Sequence, residues 1–322
     1  MTMIQARGLA KTFTTKQGPV HAVAGVDFDV AAGEIVGFLG PNGAGKTTTM
    51  RMLTTLLKPS DGTAHIAGCD LLREARKVRT NIGYVSQAGG AKPTSAVRDD
   101  ITLQGRLYGM GKSEARARTN AVLEQLEIAD LADRKAITLS GGQRRRVDMA
   151  LGLVHRPQVL FLDEPTANLD PHSRGVVWNH IRRLRDEHGT TVFISTHYLD
   201  EADSLCDRVL IIDRGRIIAE DSPERLKASI AHDTIQIDVT GTPDGAAQVL
   251  SHCPGVHEVT ADALTLSVKC RQADQMLTTL LRELDTAQIP VETVRVLKPT
   301  LDDVFMTITD RSRPRDADRA HV

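Results

Sequence analysis

A glycine-rich segment that ends in a lysine and a threonine carries the clearest chemical signal in the sequence. Its residues are Gly40, Pro41, Asn42, Gly43, Ala44, Gly45, Lys46 and Thr47, with Thr48 directly after them. They match the phosphate-binding spacing G-x-x-x-x-G-K-[ST], in which glycines let consecutive backbone N–H groups turn towards phosphate oxygens. The lysine of this motif reaches the β- and γ-phosphates, and the threonine hydroxyl ligates Mg²⁺. The segment predicts a nucleoside triphosphate site; a glycine-rich turn with a surface lysine is the alternative.

Two carboxylates follow an apolar run farther along the chain. Val159–Leu162 reads as a buried strand, and Asp163 and Glu164 come directly after it. Acids at the carboxyl end of such a strand lie where parallel α/β sheets bind ligands. Asp163 is predicted to hold Mg²⁺, and Glu164 is predicted to polarise the attacking water as a general base. A strand that ends in solvated acids is the alternative.

Gln87 and His197 also stand at the ends of predicted strands, which cover 82–86 and 191–196. A glutamine or histidine in such a place is usually structural or faces solvent. Because these strands end beside the predicted nucleotide, we expect Gln87 to meet Mg²⁺ and the attacking water, and His197 to contact the γ-phosphate.

A second glycine turn, Ser140-Gly141-Gly142-Gln143, follows Leu139 and precedes a helical run over 147–155. The amino terminus of a helix favours anions, so this turn is a second candidate phosphate contact. The three arginines at 144–146 are expected to form a solvated or paired face of the helix rather than a nucleic-acid site.

The surrounding elements have the order that these motifs need. The apolar run at 35–39 predicts a buried strand before the phosphate loop, and 48–57 has the composition of a helix after it. Antiparallel strands are expected between residues 3 and 30, and a helical subdomain from 88 to about 155. From 233 to 309 the order βαββαβ predicts a small ferredoxin-like domain. The charged, apolar-poor residues 310–322 are expected to be disordered.

The composition limits the function classes. The chain has 322 residues, 41% of them hydrophobic, with a net charge of −1 and a pI of about 6.8, so no basic surplus points to nucleic acid. Its four cysteines are scattered without a C-x-x-C pair, which favours a reduced compartment over a zinc or disulfide framework. No signal peptide and no apolar stretch of about 20 residues is recognisable, so any membrane role is expected to come through a partner.

Over residues 1 to about 220 the ordered landmarks closely resemble the ATP-binding subunit of ABC transporters. The landmarks are the phosphate loop at 40–47, Gln87, the segment 139–143, the Asp163-Glu164 strand end and His197. The resemblance implies an α/β fold: a P-loop NTPase cassette over 1–222 with a RecA-like core, an antiparallel β subdomain and a helical subdomain, then a small α+β domain. It implies an ATPase, with ATP and Mg²⁺ as cofactors.

The resemblance also implies roles for single residues. Phe13 would stack on adenine, and residues 40–48 would hold the phosphates and Mg²⁺. Ser140, Gly141, Gly142 and Gln143 would contact ATP bound by a second copy of the chain, so that two ATP molecules lie between two subunits. Asp170 would lie in the turn that crosses this dimer interface.

Three further segments are similar to the daunorubicin-resistance type of this family. They are 53–57 after the phosphate loop, 198–203 after His197, and Lys298-Pro299-Thr300-Leu301-Asp302-Asp303-Val304-Phe305. Such relatives power export of drugs, antibiotics or lipids through a separately encoded transmembrane permease. This implies a homodimer at the cytoplasmic face of the membrane, with the permease expected to dock after Gln87 at 88–92. The alternative is an ABC ATPase acting on nucleic acid or ribosomes, but the second cassette, coiled-coil insertion or zinc cysteines typical of that class are absent from the sequence.

Overall fold

The structure of the chain is a computed structural model that describes residues 1–16, 18–230, 233–240, 243–270 and 273–312. The chain divides into two compact units, one from Met1 to Pro223 and a second that begins at Glu224. None of the helices in these described ranges is long and apolar enough to cross a membrane.

A six-stranded sheet forms the centre of the first unit, in the order β10-β9-β3-β8-β7-β6. Its strands are β3 (Ile35–Leu39), β6 (Ile82–Val85), β7 (Val159–Asp163), β8 (Thr191–Thr196), β9 (Arg208–Asp213) and β10 (Arg216–Asp221). All are parallel to their neighbours except β10 at the edge. Leu39 pairs with Thr196 and Asp163 with Ser195, so β3, β7 and β8 end at one edge of the sheet.

A second, antiparallel sheet has the order β2-β1-β4-β5. Its strands are β1 (Thr2–Thr15), β2 (Gly18–Ala31), β4 (Asp61–Ile66) and β5 (Cys69–Asp70). Aromatic rings join the two sheets: Phe28 of β2 lies 5.6 Å from Phe193 of β8 and 6.1 Å from Phe38 of β3, between ring centroids. Both sheets therefore share one hydrophobic core, which fixes β1 and β2 beside the end of β3.

In the described part of the first unit, seven α-helices pack around these sheets. They are α1 (Lys46–Leu53), α2 (Ala75–Asn81), α3 (Val97–Leu107), α4 (Lys112–Gln125), α5 (Gly141–Leu153), α6 (Pro171–His188) and α7 (Leu199–Leu205). The predicted helix over 48–57 is wrong at its end, because α1 ends at Leu53. The Thr54 hydroxyl donates to the Met50 carbonyl, and Thr55 has a positive φ of 61°, so the backbone leaves the helical path there.

Helix α5 begins six residues before the predicted start at 147. Ser140 is its N-cap: Ser140 Oγ accepts from the Gln143 backbone N–H, and the Gln143 side chain accepts from the Ser140 N–H. This reciprocal capping box satisfies two donors that a helix end leaves unpaired, and it makes the glycine turn the first turn of the helix.

The second unit contains a four-stranded antiparallel sheet in the order β12-β13-β11-β14. Its elements are α8 (Pro223–Ile230), β11 (Asp233–Val239), α9 (Pro243–Ser251), β12 (Val256–Asp262), β13 (Thr265–Cys270), α10 (Ala273–Thr286), β14 (Val291–Leu297) and α11 (Leu301–Ser312). From β11 to β14 the element order is βαββαβ. Ile235, Val268 and Leu280 lie in a core between this sheet and α9 and α10.

Helix α11 corrects the expectation of disorder from residue 310. Thr300 and Asp303 form a reciprocal cap at its start, in which Asp303 Oδ2 accepts from the Thr300 N–H at 2.9 Å and Thr300 Oγ1 accepts from the Asp303 N–H. Because Leu301 and Val304 are buried, the helix is stabilised from its first turn and continues to Ser312. The rest of the predicted tail, 313–322, lies outside the described residues.

Candidate nucleotide-binding and catalytic site

The phosphate loop connects β3 to α1 through a backbone path that requires glycine. Gly43 and Gly45 have φ of 84° and 109°. A Cβ added at Gly45 would lie 2.5 Å from the Ala22 carbonyl oxygen, and one at Gly40 would lie 2.3 Å from that of Ile212. Only glycine fits these conformations and distances, so the loop is held close to β2 and β9.

Lys46 begins α1 and is buried beneath the loop. Its Nζ donates to the carbonyl oxygens of Gly40 at 2.6 Å and Pro41 at 3.1 Å. Burial lowers the pKa of Lys46, and the charges of Glu164 and Asp163 oppose this shift. The ammonium therefore lies at the loop with only neutral hydrogen-bond acceptors, a position in which an anionic phosphate would stabilise its charge strongly.

Asp163 is the last residue of β7 and is buried. Its Oδ1 accepts a hydrogen bond from the Ser195 hydroxyl and lies 3.4 Å from Thr47 Oγ1, while Tyr84 OH lies 3.5 Å from Oδ2. Burial, followed by the charge of Asp163, raises the pKa of Tyr84 to about 12. The Thr47 and Asp163 oxygens are hard donors at the mouth of the phosphate loop and fit Mg²⁺, which keeps its other positions for water and phosphate oxygens.

Glu164 follows β7 with a left-handed φ of 46°, an uncommon conformation for a residue other than glycine. Gln87 Nε2 donates to its Oε2 at 2.6 Å, and Nδ1 of His197 lies 3.0 Å from its Oε1. The backbone N–H of Glu164 donates to the Ser195 carbonyl at 3.0 Å. Residues that follow two strands, β6 and β8, thus hold the two oxygens of the carboxylate that follows β7.

One cavity of about 430 Å³ joins the phosphate loop to these strand ends. It is lined by Ala22, Asn42, Gly43, Gly45, Lys46, Thr47, Thr48, Gln87, Glu164 and His197. Phe13 is not among the lining residues: it lies on β1 with 39% of its surface exposed, and Lys11 Nζ is 5.3 Å from its ring centroid. The structure therefore places residues predicted to bind phosphate and to activate water in one cavity. Phe13, predicted to stack on adenine, lies on the neighbouring surface.

The second glycine turn does not line this cavity. A Cβ added at Gly142 would lie 2.8 Å from Ser173 Oγ, so the turn packs closely against the start of α6. Asp170 caps α6 by accepting from the Ser173 N–H and hydroxyl at 2.9 and 2.6 Å, and these hydrogen bonds hold the pKa of Asp170 below its usual value. Ser140, Gly142 and Asp170 thus belong to one surface that is separate from the cavity residues.

Three contributors to the site were missed by the sequence interpretation. Ser195 and Tyr84 contact Asp163 from the two strands beside β7. Each is a polar residue within an apolar run of the sequence, and this was the signal that could have identified them. Arg145 was expected on a solvated or paired face, and this is wrong, because it is buried and donates only to backbone carbonyls.

Comparisons with protein families agree with this geometry. The family described as "ABC transporter" matches residues 23–167, and the family described as "ATP-binding protein DrrA1-3-like, C-terminal domain" matches 222–309. The daunorubicin resistance ATP-binding protein DrrA3 of Streptomyces coeruleorubidus is 41% identical over 97% of this chain and 97% of its own. The linearmycin resistance ATP-binding protein LnrL of Bacillus subtilis is 33% identical over 96% of this chain and 99% of its own.

Solved structures show the same cassette fold. The dimeric post-hydrolysis state of the ATP-binding cassette MJ0796 bound to ADP and Pi is 27% identical, with a TM-score of 0.63 over 68% of this chain and 98% of that one. The structure of cbiO1 from Clostridium perfringens, part of the ABC transporter complex cbiONQ, is 31% identical, with a TM-score of 0.63 over 70% of this chain and 91% of that one. The chain therefore belongs to the ABC transporter family, as an ATP-binding and ATP-hydrolysing subunit with a DrrA-type C-terminal domain.

Proposed function

We propose that the chain drives export of a drug, antibiotic or lipid-like molecule, as the ATPase subunit at the cytoplasmic face of a membrane that holds a separate permease. The observation that carries the catalytic part is the geometry of Glu164, whose two carboxylate oxygens contact Gln87 and His197 in a cavity shared with Lys46 and Thr47. The names of relatives that match nearly the full chain, for daunorubicin and linearmycin resistance, support the class of cargo.

The cavity residues divide the reaction among them. Lys46 and the loop N–H groups hold the β- and γ-phosphates, and Glu164 takes a proton from the water that attacks the γ-phosphate. Gln87 and His197 fix the direction of the Glu164 carboxylate, and His197 lies where the γ-phosphate arrives. Mg²⁺ at the Thr47 and Asp163 oxygens would supply charge neutralisation on the phosphates.

A second copy of the chain completes the site in this proposal. Ser140, Gly141, Gly142 and Gln143 lie on a surface apart from the chain's own cavity, beside Asp170. Placed across an interface, the unpaired N–H groups of the first turn of α5 would face the γ-phosphate held by the partner copy. The similar MJ0796 cassette, whose post-hydrolysis state bound to ADP and Pi is dimeric, supports this arrangement. Closing around two ATP molecules and reopening after hydrolysis would move the permease.

The permease is proposed to dock on the segment that follows Gln87. Gly89 and Gly90 line a groove of about 290 Å³ together with Tyr84, Ser86 and Tyr108. Because Ser86 precedes Gln87 and Gly89 follows it by two residues, a partner seated there would act on the residue that holds Glu164.

Co-purification tests this function as a whole. The tagged chain is recovered from detergent-solubilised host membranes, and ATPase activity is compared between the isolated chain and the complex. Recovery of a polytopic membrane protein that changes the ATPase rate is expected, and Glu164→Gln in the same complex should abolish phosphate release. Recovery of ribosomes or DNA without a membrane protein would contradict the exporter and favour the nucleic-acid alternative.

A further inference from the structure

Arg145 of α5 joins two segments of the catalytic site through a buried guanidinium. The side chain is 7% exposed. Its Nη1 donates to the Ser86 carbonyl at 2.7 Å, its Nη2 to the Asp163 carbonyl at 2.9 Å and its Nε to the Pro165 carbonyl at 2.8 Å. These three carbonyls immediately flank Gln87 and Glu164 in the chain, so one planar group sets the distance between the two loops.

Asp148, one helical turn later on the same face of α5, holds the other end of the loop after Gln87. It is 6% exposed, and its Oδ1 accepts from the backbone N–H groups of Gly90 at 2.8 Å and Ala91 at 2.9 Å. Gly89 has a φ of 80°, and a Cβ added there would lie 2.5 Å from Asp148 Oδ2. The segment 86–91 is therefore attached to α5 at both ends.

The hydrogen bonds of Arg145 and Asp148 indicate that these residues position the loop after Gln87 rather than only fill the core. Burying a charge is costly unless hydrogen bonds replace its hydration. Apart from the Asp163 carbonyl at the end of β7, both groups place their hydrogen bonds on loop backbone outside the strands, at Ser86, Pro165, Gly90 and Ala91. Burial lowers the pKa of the Arg145 guanidinium, and the charge of Asp148 is first among those that oppose the shift. The fork of an arginine can bond three carbonyls with fixed angles, which a lysine cannot do.

We infer that Arg145 and Asp148 act as a latch on α5 that positions Gln87 against Glu164 and transmits movement of the segment 86–91 to that contact. The inference rests on the proposed function, in which this segment receives the permease and Glu164 activates water. Since Ser140 caps the start of α5, the same helix also connects the latch to the surface proposed to meet the second copy. Both residues are positioning residues, because neither lines the nucleotide cavity.

The test compares Arg145→Met with Arg146→Met. Arg146 is a matched control on the same helix: its Nη1 also donates to two carbonyls, those of Leu126 and Glu127, but away from the site. We expect Arg145→Met to lower kcat about tenfold to a hundredfold, since small misplacements of catalytic groups cost that much. The Kd for ATP, measured by calorimetry, should stay within about twofold because the phosphate loop is untouched. Arg145→Lys should recover only part of the loss.

A merely structural role predicts a different result. If Arg145→Met and Arg146→Met lower Tm similarly and leave kcat equally little changed, the latch is refuted. Asp148→Ala is a second test, in case the arginine variant fails to fold. It should reduce the ratio between the ATPase rates with and without permease towards one. Asp148→Asn keeps an acceptor oxygen and should preserve that ratio.

Different results would contradict the proposed function and the latch. A wild-type chain that hydrolyses no ATP, or whose rate does not respond to a co-purified membrane protein, overturns the proposed function itself. A wild-type chain that does respond, with Asp148→Ala responding equally, overturns only the latch.

Discussion

Gln87 Nε2 donates to Glu164 Oε2 at 2.6 Å, so the loop after β6 is bonded directly to the residue that follows β7. The other oxygen of Glu164 lies 3.0 Å from Nδ1 of His197, at the end of β8. A carboxylate held on both sides has a fixed direction, and the left-handed backbone at Glu164 turns it into the nucleotide cavity. Each carboxylate oxygen keeps a second lone pair, so Glu164 can accept from the attacking water while both partners stay in place.

Glu164→Gln should keep ATP binding and remove turnover. The amide has the same shape, and its oxygen still accepts from Gln87, but it cannot take a proton from water. Loss of a general base typically costs about a hundredfold to ten-thousandfold in rate. Phosphate release measures the loss of turnover, and calorimetry measures the retained binding of ATP. Chromatography in ATP should show a trapped dimer. Hydrolysis at the wild-type rate would remove the general-base role from Glu164.

Lys46→Ala should weaken ATP binding itself. Lys46 is buried beneath the loop with only carbonyl partners, so its charge is available to the phosphates and nothing nearby replaces it. The expected rise in Kd is at least about tenfold, a typical loss for one charge-assisted phosphate contact. Lys77→Ala, which alters an exposed lysine paired with Glu74, is the control and should bind normally. Equal calorimetric affinities for the two variants would refute the loop assignment.

Phe13→Ala should weaken nucleotide binding without changing the rate of the bound state. The ring is exposed on β1 and lies outside the cavity that holds the phosphates, so it can contribute only to the base. Losing one base–aromatic stack should raise Kd about tenfold. Phe13→Tyr should bind like the wild type, and Val20→Ala, at the exposed cross-strand partner of Phe13, tests for damage to the strand pair. A Kd for Phe13→Ala equal to that of Val20→Ala would show that the ring does not touch the base.

Motif spacing predicted that Gln87, Glu164 and His197 would lie together, because this depends only on each of them following a parallel strand. Residues that end parallel strands lie at one edge of a sheet whatever the exact strand order. The roles of Gln87 and His197 in the reaction stay predictions. A polar residue within an apolar run was a signal for Ser195 itself, but its contact with Asp163 could not be predicted, since the contact requires that β8 lie beside β7, a neighbour relation that strand patterns do not encode.

The residue at which α5 begins determines which of the three arginines, in this case Arg145, faces the site. With the helical run predicted from 147, the sequence pattern assigns all three arginines at 144–146 to one solvated or paired face and does not distinguish them. The Ser140 cap starts α5 at Gly141, and Arg145 then stands one turn before Asp148 on the buried face. The cap residues were in the sequence, but their reciprocal bonds compete with other turn geometries, and only the folded packing settles which one forms.

Glu201→Gln should make the stability of the chain less sensitive to rising pH. Glu201 of α7 is buried, and its Oε1 accepts from the Thr166 hydroxyl at 2.7 Å and from Trp178 Nε1 at 3.1 Å. Burial raises the pKa of Glu201 above its ordinary value, and hydrogen bonds from Thr196, Thr166 and Trp178 oppose this shift. An acid whose pKa is raised by folding contributes stability that is fully present below its unfolded pKa, near 4.3, and lost as pH rises through the folded pKa.

The amide variant keeps an acceptor oxygen for Thr166 and Trp178 and has no proton to lose. The urea midpoint of the wild type should therefore fall, relative to that of Glu201→Gln, as the pH rises above the unfolded pKa of about 4.3, with the m-value unchanged. Glu224→Gln, at a residue exposed in the first turn of α8, is the matched control and should follow the wild type. Parallel pH profiles for the wild type and Glu201→Gln would mean that Glu201 is ionised in the folded chain, with its charge balanced despite its burial.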